Sequence, residues 1–386
     1  MKKFNKNLVI IGSNEYCEKN NQYFFRSGLE PQMDDLAQYF THTYHYSPKS
    51  IYTFRGFQFG SHVKVCPFSI KHHENHVELF NRLSEYWGSI KKIHNTHKDA
   101  IFMVFFPDSY IGLISVLYLK IKRANFFIRV TSNQLEEMRV RGNKWYRKCL
   151  YFFVKPIYYI FVKWLFKKHV QIYTGKKIFY TDKYSYAVHS SNLKISDIKE
   201  KQIIEKTKYA LYYVGRFDRY KGLIHAIRAF SQITSNVTLH IIGFGNDEDT
   251  QQIKNEIDRS SAKENIEFIG QVSYGEELFA YYDKADILLV PAIYETQGKT
   301  YLEAMARGVA VVASRTGGIP LIVKHNKNGL LVEPGNEKEI ADAVDLLINN
   351  SQLRKELIRQ GYLVARESTI EKITELTIQA IKPQII

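Results

Sequence analysis

The stretch PAIYETQGKTYLEAMARGVAVVASRTGGIP, residues 291–320, decides the fold of the second half of this chain. It follows the apolar run ILLV, which is typical of a strand buried on both faces of a parallel sheet. Two carboxylates, Glu295 and Glu303, are separated by seven residues, and YLEAMARG predicts a short helix that ends at Gly308. A strand, a glycine-containing turn and a helix start predict an α/β unit whose turn presents backbone N–H groups to an anion.

A second cluster supports the same ligand chemistry. The segment LYYVGRFDRYKG places Arg216 and Lys221 after another predicted strand, residues 210–214. A guanidinium and an ammonium group at the end of a strand suit a diphosphate. Carboxylates accept hydrogen bonds from sugar hydroxyls, so the two clusters together indicate a ligand that carries both phosphate and sugar, such as a nucleotide sugar.

With these residues the chain resembles the retaining glycosyltransferases of family 4. The family carries two motifs. The earlier one along the chain, G-R-x-x-x-x-K-G, is matched by Gly215, Arg216, Lys221 and Gly222. The later one, E-x7-E followed by A-M-A-x-G-x-x-V-V-A-S-x-x-G-G, is matched by both glutamates and by Ala304, Met305, Ala306, Gly308, Val311, Val312, Ala313, Ser314, Gly317 and Gly318. The resemblance implies the α/β GT-B fold, with two facing, doubly wound, Rossmann-like domains and an interdomain cleft.

The resemblance also implies roles for individual residues. Glu295 contacts the donor sugar and Glu303 the ribose hydroxyls, while Arg216 and Lys221 neutralise the leaving diphosphate. Further donor contacts are implied for the backbone at Gly298, Lys299 and Thr300, for the glycine turns at Gly215 and Gly243, and, around the nucleobase, for Ile269, Gly270 and Gln271. Gln297 replaces the usual Phe, so packing against the sugar is expected to differ. The bases uridine, guanosine and adenosine all remain open.

The first half of the chain matches the family poorly. Many members carry a histidine after the strand that corresponds to FFIRV, where this chain offers Thr131, Ser132 and Asn133. Asp108 follows a predicted strand and is either a catalytic or acceptor-binding residue or a helix cap. The histidines of KHHENH, residues 71–76, are interpreted as a solvated loop. No metal or other cofactor is expected, because the fold does not require one.

Charge is distributed unevenly along the 386 residues. Residues 1–200 hold 31 Lys and Arg against 15 Asp and Glu, a net +16, whereas residues 201–386 carry a net −1. The basic residues alternate with aromatic ones in KWYRKCLYFFVKPIYYIFVKWLFKK, which is typical of a helix at an anionic bilayer surface. A buried helix with a solvated lysine face is the alternative, and no nucleic-acid motif accompanies the charge. Lys155, Pro156 and Lys163 interrupt this stretch and argue against a membrane-spanning segment.

Strand–helix alternation predicts two α/β domains, residues 1–200 with strands at 7–11, 51–54, 100–106 and 126–130, and residues 201–365. The resemblance implies that the first domain binds the acceptor and the second the nucleotide sugar. It also implies that residues 366–386 form a helix that packs back on the first domain. Three scattered cysteines indicate a reducing cytoplasm, and we expect a peripheral location on the inner face of the membrane.

The sequence therefore predicts transfer of a sugar, with retention, from a nucleotide-diphosphate sugar to a glycan or lipid-linked acceptor. Such a reaction belongs to the biosynthesis of cell-surface polysaccharide or lipopolysaccharide. Two alternatives remain: a sugar-nucleotide epimerase of the same fold, and a non-catalytic protein that binds nucleotide sugars.

Overall fold

The computed structural model describes residues 3–12, 15–20, 22–25, 28–50, 58–68, 83–106, 110–131, 145–174, 182–189, 191–295 and 298–385. The chain divides into two units. The first comprises Met1–Asn192 and Ile370–Ile386, and the second comprises Leu193–Thr369. Each unit is built around one parallel sheet.

The first unit contains a long sheet and a small hairpin. Its strands are β1 (Leu8–Ile11), β2 (Tyr16–Lys19), β3 (Gln22–Phe25), β4 (Thr43–Pro48), β5 (Val63–Phe68), β6 (Ile101–Phe106), β7 (Phe126–Val130), β8 (Gln171–Thr174) and β9 (Ser185–Val188). The sheet order is β5-β4-β1-β6-β7-β8-β9, and every neighbouring pair is parallel. The strands β2 and β3 pair antiparallel with each other.

Helices cover both faces of this sheet. They are α1 (Glu30–Ala37), α2 (Leu83–Thr96), α3 (Tyr110–Ile121), α4 (Trp145–Phe166) and, from the other end of the chain, α12 (Ile370–Ile385). Alternate residues of β1 point to opposite faces, because side chains of a strand alternate. Val9 and Ile11 join the core beneath α2, α3 and α4, while Leu8 and Ile10 join the core beneath α1 and α12.

The second unit repeats this plan with six strands. They are β10 (Tyr209–Arg216), β11 (Val237–Phe244), β12 (Ile266–Gly270), β13 (Ile287–Val290), β14 (Ala310–Ser314) and β15 (Leu330–Val332), in the sheet order β12-β11-β10-β13-β14-β15. The helices are α5 (Leu223–Phe230), α6 (Asp247–Arg259), α7 (Glu276–Lys284), α8 (Thr300–Ala306), α9 (Ile319–Ile322), α10 (Glu337–Asn349) and α11 (Ser351–Arg366). The predicted doubly wound α/β fold is confirmed in both units.

The units divide at Asn192 and Leu193, whereas the sequence placed the boundary after residue 200. The reason is packing: Leu193 is fully buried in the core beneath α7 and α8. The backbone N–H of Lys199 donates to the Ala306 carbonyl at 2.9 Å, which ties the connecting segment to the second unit. The return to the first unit occurs at Ile370 rather than at residue 366, because α11 continues to Arg366 and packs within the second unit.

The apolar, basic stretch forms one long helix, α4, which continues through Pro156. Among the described residues, no helix combines the length and apolar character needed to cross a bilayer. The predicted strand at residues 51–54 lies outside the described residues.

Candidate functional site

The order of strands in the second unit creates a switch point between β10 and β13. From β10 the chain proceeds to β11 and β12 on one side, and from β13 to β14 and β15 on the other. The helices that follow these two strands leave in opposite directions from the sheet. Parallel α/β sheets bind ligands at the carboxyl ends of the strands beside such a point. The loops after β10 and β13 carry Arg216, Lys221 and Glu295, so the sequence-predicted residues lie at this position.

The loop after β10 is ordered by its own side chains. Asp218 accepts a hydrogen bond from the Tyr220 N–H at 3.0 Å and begins a single 3-10 turn, Arg219–Lys221. Gly222 follows with φ +69°, and a Cβ at this position would overlap the carbonyl oxygen of Pro291. Only glycine therefore allows the loop after β10 to reach the backbone at the end of β13.

Glu295 is held in place through its backbone. Its carbonyl oxygen accepts a hydrogen bond from the Gly318 N–H at 2.9 Å. Gly317 has φ +53°, and a Cβ there would overlap the same carbonyl oxygen. The Thr316 hydroxyl adds a hydrogen bond to the Ile293 carbonyl at 3.1 Å. The glycine pair of the signature thus supports the loop that carries Glu295.

Lys221 and Glu295 form an ion pair across the switch point. The Lys221 Nζ donates to Glu295 Oε2, and the carboxylate is largely buried. The two loops are also joined by the Ile293 N–H, which donates to the Tyr220 carbonyl at 2.8 Å. This pairing places one cation and one carboxylate in direct contact at the predicted donor site.

Arg216 has a different partner. Its guanidinium pairs with Asp218 at 2.9 Å, and its side chain is 60% exposed. Tyr213 lies beneath this loop and donates its hydroxyl hydrogen to the Arg216 carbonyl at 2.6 Å. Burial, together with the negative charges of Asp218 and Glu295, raises the pKa of Tyr213. The phenol therefore stays neutral and acts as a fixed hydrogen-bond donor.

Glu303 lies on α8 and is buried. Its carboxylate accepts a hydrogen bond from the Tyr282 hydroxyl at 3.0 Å. Burial raises the pKa of Glu303 to about 7, although the Tyr282 hydrogen bond and the charge of Lys299 act in the opposite direction. Burial and the Glu303 charge raise the pKa values of Tyr282 and of Tyr274. This buried carboxylate receives one phenol hydrogen bond, from Tyr282, and it is costly to leave it charged without a further donor.

The turn into α8 contains the predicted backbone donors. The helix begins at Thr300, with Lys299 at its N-cap position and no side-chain cap. In the first backbone hydrogen bonds of the helix, the N–H groups of Leu302 and Glu303 donate to the Lys299 carbonyl. The N–H groups of the residues before Leu302 take no part in these helical hydrogen bonds. Gly298 packs closely on Tyr301, since a Cβ at Gly298 would lie 2.9 Å from Cε1 of that ring.

The remaining donor-site predictions lie along the same carboxyl edge. Gly215 and Gly243 are directly paired at the ends of β10 and β11. The strand β12 carries a bulge at Ile269, because Ile241 pairs with Phe268 and Ile242 pairs with Gly270. Gln271 is exposed just beyond it. Three strand spacings of about 4.8 Å separate β12 from β13, so a ligand that reaches from Gln271 to Glu295 must extend over roughly 14 Å.

Three sequence-predicted site residues, Asp108, Ser132 and Asn133, lie outside the described residues, as do Gln297 and the histidines of KHHENH. Within the described part of the chain, no group of three or more His, Cys, Asp and Glu side chains is arranged to hold a metal ion.

The tyrosines around Glu303 were missed by sequence reasoning. Tyr282 lies on α7, 21 positions before Glu303, and Tyr274 precedes the same helix. A single tyrosine on an amphipathic helix is indistinguishable from a core aromatic in the sequence, so no local signal identifies Tyr282. The clustering became visible only through the packing of α7 against α8.

Comparison with known proteins agrees with this geometry. Residues 194–364 match the family "Glycosyl transferases group 1". An "uncharacterized glycosyltransferase" of Methanocaldococcus jannaschii is 29% identical over 158 residues, which cover 41% of this chain and 40% of that protein. The first curated relatives are matched over 40% to 46% of their own length.

Solved structures match nearly the whole chain. Anabaena HepE in complex with UDP and glucose gives a TM-score of 0.68 at 14% identity, covering 98% of this chain and 100% of that one. The lipopolysaccharide outer core galactosyltransferase WaaB gives a TM-score of 0.67 at 15% identity, covering 98% and 99%. These similarities confirm the predicted GT-B fold with its two Rossmann-like domains.

Proposed function

We propose that this protein is a glycosyltransferase that transfers a sugar from a nucleotide-diphosphate sugar to a glycan or lipid-linked acceptor. The observation that carries this proposal is the Lys221–Glu295 pair at the switch point between β10 and β13. A cation and a carboxylate at this edge provide partners for phosphate oxygens and sugar hydroxyls, respectively. The match of residues 194–364 to the group 1 glycosyltransferases supports it.

In this proposal, Lys221 and Glu295 exchange their ion-pair partners when the donor binds. Lys221 turns from Glu295 to the diphosphate, and the released carboxylate accepts hydrogen bonds from the donor sugar. The acceptor hydroxyl oxygen bonds to the anomeric carbon as the bond from that carbon to the β-phosphate oxygen breaks, and the hydroxyl proton passes to a phosphate oxygen of the leaving nucleotide. Negative charge grows on the β-phosphate oxygen during this step. Lys221, Arg216 and the N–H groups near Thr300 stabilise this charge. Removing one preorganised donor of this kind typically lowers the rate by about 10²–10³.

Glu303 is assigned to the ribose hydroxyls. Its carboxylate is buried and already receives one phenol hydrogen bond, from Tyr282. A vicinal diol supplies the additional donors that a buried, charged carboxylate requires. The nucleobase is assigned to the backbone around the bulge at Ile269–Gln271, at the far end of the same edge.

Retention of the anomeric configuration is part of the proposal, on the strength of the signature shared with retaining enzymes. A one-dimensional NMR spectrum of the early product distinguishes retention from inversion through the anomeric proton. No metal or other cofactor is assigned a role in the transfer.

The acceptor is assigned to the first unit, where the excess of positive charge lies. The basic, aromatic helix α4 supports a lipid-linked acceptor at an anionic membrane surface. A peripheral location on the inner face of the cytoplasmic membrane is part of the proposal. The structural similarity to WaaB, a galactosyltransferase of the lipopolysaccharide outer core, favours cell-surface polysaccharide or lipopolysaccharide as the product.

A ligand screen tests the donor site. Titration calorimetry with UDP, GDP, ADP and their hexose derivatives is carried out on the wild type, Lys221→Met and Lys206→Met. Lys206 is a matched control, because it pairs with Asp286 at 2.7 Å at the opposite, amino-terminal edge of the same sheet. We expect one nucleotide to bind the wild type and Lys206→Met alike, and to bind Lys221→Met at least tenfold more weakly. Equal affinities for all three proteins would overturn the site assignment.

Turnover distinguishes the classes of activity. Consumption of the nucleotide sugar only when an acceptor extract is present supports transfer. Conversion of the nucleotide sugar to its epimer without acceptor would identify an epimerase, and binding without any turnover would identify a binding protein.

A further inference from the structure

A cavity with strongly basic walls lies in the first unit, at the edge where the strands of its sheet begin. It has a volume of about 490 Å³ and lies beside Ile101, Asn125 and Phe126, at or next to the starts of β6 and β7. This is within the range of ligand pockets. We call it the basic cavity.

Four cationic side chains line the basic cavity: Lys120, Arg123, Lys167 and Lys168. None of the described residues that line it is acidic. The Lys120 Nζ donates to the Lys167 carbonyl at 3.2 Å. Burial, followed by the charges of Lys167 and Lys168, lowers the pKa of Lys120.

Two helix ends also meet at this cavity. Helices α3 and α4 end at Ile121 and Phe166, and each C terminus carries roughly half a negative charge. The two ends together offset about one positive charge, whereas Lys120, Arg123 and Lys167 alone supply three. A net positive potential therefore remains, which an anionic ligand would neutralise.

The backbone of two of these residues is strained. Arg123 and Lys168 follow α3 and α4 with φ +54° and φ +70°. Glycine usually occupies this position after a helix, because side chains other than glycine disfavour positive φ. Basic side chains stand at both positions despite the strain, and strained backbone of this kind clusters at ligand-binding sites.

The rim of the basic cavity continues into an exposed apolar surface. Ile157, Ile160 and Trp164 are spaced along one face of α4 and are 71%, 70% and 48% exposed, and Ile121 at the end of α3 is 54% exposed. The Lys120 ammonium lies 5.5 Å from the centre of the Trp164 ring, so the cationic and apolar surfaces are contiguous. Exposed apolar residues beside a cationic pocket are typical of proteins that bind the interface of an anionic bilayer.

We propose that the basic cavity binds the phosphate group of an anionic lipid headgroup while the exposed face of α4 contacts the apolar part of the bilayer. The inference rests on the proposed membrane association and adds a defined site to it. The cavity takes no part in binding the nucleotide sugar, because that ligand is assigned to the carboxyl edge of the other sheet. A lipid headgroup would thereby fix the orientation of the first unit on the membrane.

Vesicle flotation of the full chain tests this site. Vesicles of phosphatidylcholine alone are compared with vesicles that also contain phosphatidylglycerol. The test variant is Arg123→Gly/Lys168→Gly, which removes two charges and permits the observed φ angles. We expect its thermal midpoint to equal or exceed that of the wild type, while its partition onto anionic vesicles falls about thirtyfold, at about 1 kcal/mol for each cation. Arg123→Asn/Lys168→Asn, which also tolerates positive φ, is expected to behave alike.

The matched control is Lys19→Ala/Lys64→Ala. It removes the same net charge from exposed positions on β2 and β5. Strand β5 lies three spacings from β6 and four from β7, roughly 14 and 19 Å, and both distances exceed the screening length of about 8 Å at physiological salt. We expect the partition of this control variant onto anionic vesicles to change by less than threefold.

Each other outcome overturns a defined part of the inference. Equal losses of vesicle binding in the glycine variant and in the control would show diffuse charge attraction and would overturn the assignment of a lipid site to the basic cavity. No binding of the wild type to anionic vesicles would overturn membrane association, while nucleotide titration would still report on the donor site. Binding of glycerol 3-phosphate to the wild type in solution, with unchanged vesicle binding of the glycine variant, would assign the cavity to a soluble phosphate.

Discussion

At the scale of single residues, Glu303 has the most distinctive chemistry of the candidate site. It is buried against Tyr282, and its pKa is raised from about 4.5 in the unfolded chain to about 7. Between these two values the folded state holds a proton that the unfolded state has lost. Stability therefore falls as pH rises through this window, by roughly 3 kcal/mol for a shift of this size.

Glu303→Gln is expected to remove this pH-dependent loss. Glutamine keeps the acceptor for Tyr282 and carries no charge, so the variant should match the wild type near pH 4.5 and exceed its stability at pH 8. Urea unfolding of both proteins across this range measures the difference. The same variant should bind the nucleoside diphosphate more weakly at pH 8, because the charged acceptor for the ribose is gone. If the difference in unfolding free energy between the wild type and Glu303→Gln does not change with pH, the raised pKa of the buried Glu303 carboxyl is contradicted.

Because the Arg216 side chain is exposed, its contribution to turnover can be measured separately from its contribution to stability. Its side chain is largely exposed and pairs only with a neighbour in its own loop among the contacts described. Arg216→Ala should change the unfolding free energy by less than about 1 kcal/mol, because exposed ion pairs contribute little. Turnover should nevertheless fall by about 10²-fold, through loss of charge stabilisation on the leaving diphosphate.

A matched control for Arg216 is Arg228→Ala. Arg228 is half exposed and pairs with Glu256 at 2.6 Å on the helices behind the sheet. Stopped assays of donor consumption should show a loss of turnover for Arg216→Ala and none for Arg228→Ala. Equal activities of the two variants would remove Arg216 from the donor site.

The sequence marked the charged residues of the proposed donor site but not their pairing. Arg216, Lys221 and Glu295 are marked by motifs, because their spacing from strand ends and glycines is visible in the chain. The Lys221–Glu295 ion pair joins residues 74 positions apart. It depends on β10 and β13 being neighbours in the sheet, which no local pattern encodes.

At the scale of elements, two glycines bring three loops together behind the donor site. Gly222 allows the turn after β10 to approach Pro291, and Gly317 allows the turn after β14 to approach Glu295. The apolar runs at residues 210–214 and 287–290 were enough to predict β10 and β13. The close approach of their loops arises from the parallel register of β13 with β10 and β14.

Gly222→Ala is expected to destabilise the second unit by more than backbone strain alone. The substitution adds the cost of positive φ, about 1–2 kcal/mol, and forces the Pro291 carbonyl to move. Gly335→Ala is the control, because Gly335 has φ +76° but its Cβ would meet only ordinary contacts at 3.5 Å or more. Unfolding by urea should show a larger loss for Gly222→Ala, accompanied by weaker nucleotide binding. Equal losses would show that the loop approach has no energetic importance.

At the scale of the whole molecule, the chain returns to its first unit at the end. Helix α12 buries Ile373, Ile378 and Ile381 in the core beneath α1. The sequence analysis expected a helix in this region. Its partners Met33 and Leu36 are more than 300 positions away, and the resemblance to a known family, rather than any pattern in the residues, supplied the expectation of packing on the first domain.

Ile381→Ala is expected to destabilise the first unit selectively. Deleting this buried side chain should lower the unfolding free energy by about 2–5 kcal/mol. Leu376→Ala on the same helix is the control, because Leu376 is 37% exposed and should lose far less. Scanning calorimetry with saturating nucleotide separates the units, since the ligand raises only the transition of the unit that binds it. A loss confined to the nucleotide-stabilised transition would contradict the assignment of α12 to the first unit.

A crystal structure of the protein with the nucleoside diphosphate selected by the ligand screen tests the central claim most directly. The account predicts phosphate oxygens within about 3 Å of the Lys221 Nζ, the ribose hydroxyls at Glu303, and the Lys221–Glu295 pair opened. A nucleotide bound away from the ends of β10 and β13, with Lys221 still paired to Glu295, would contradict it.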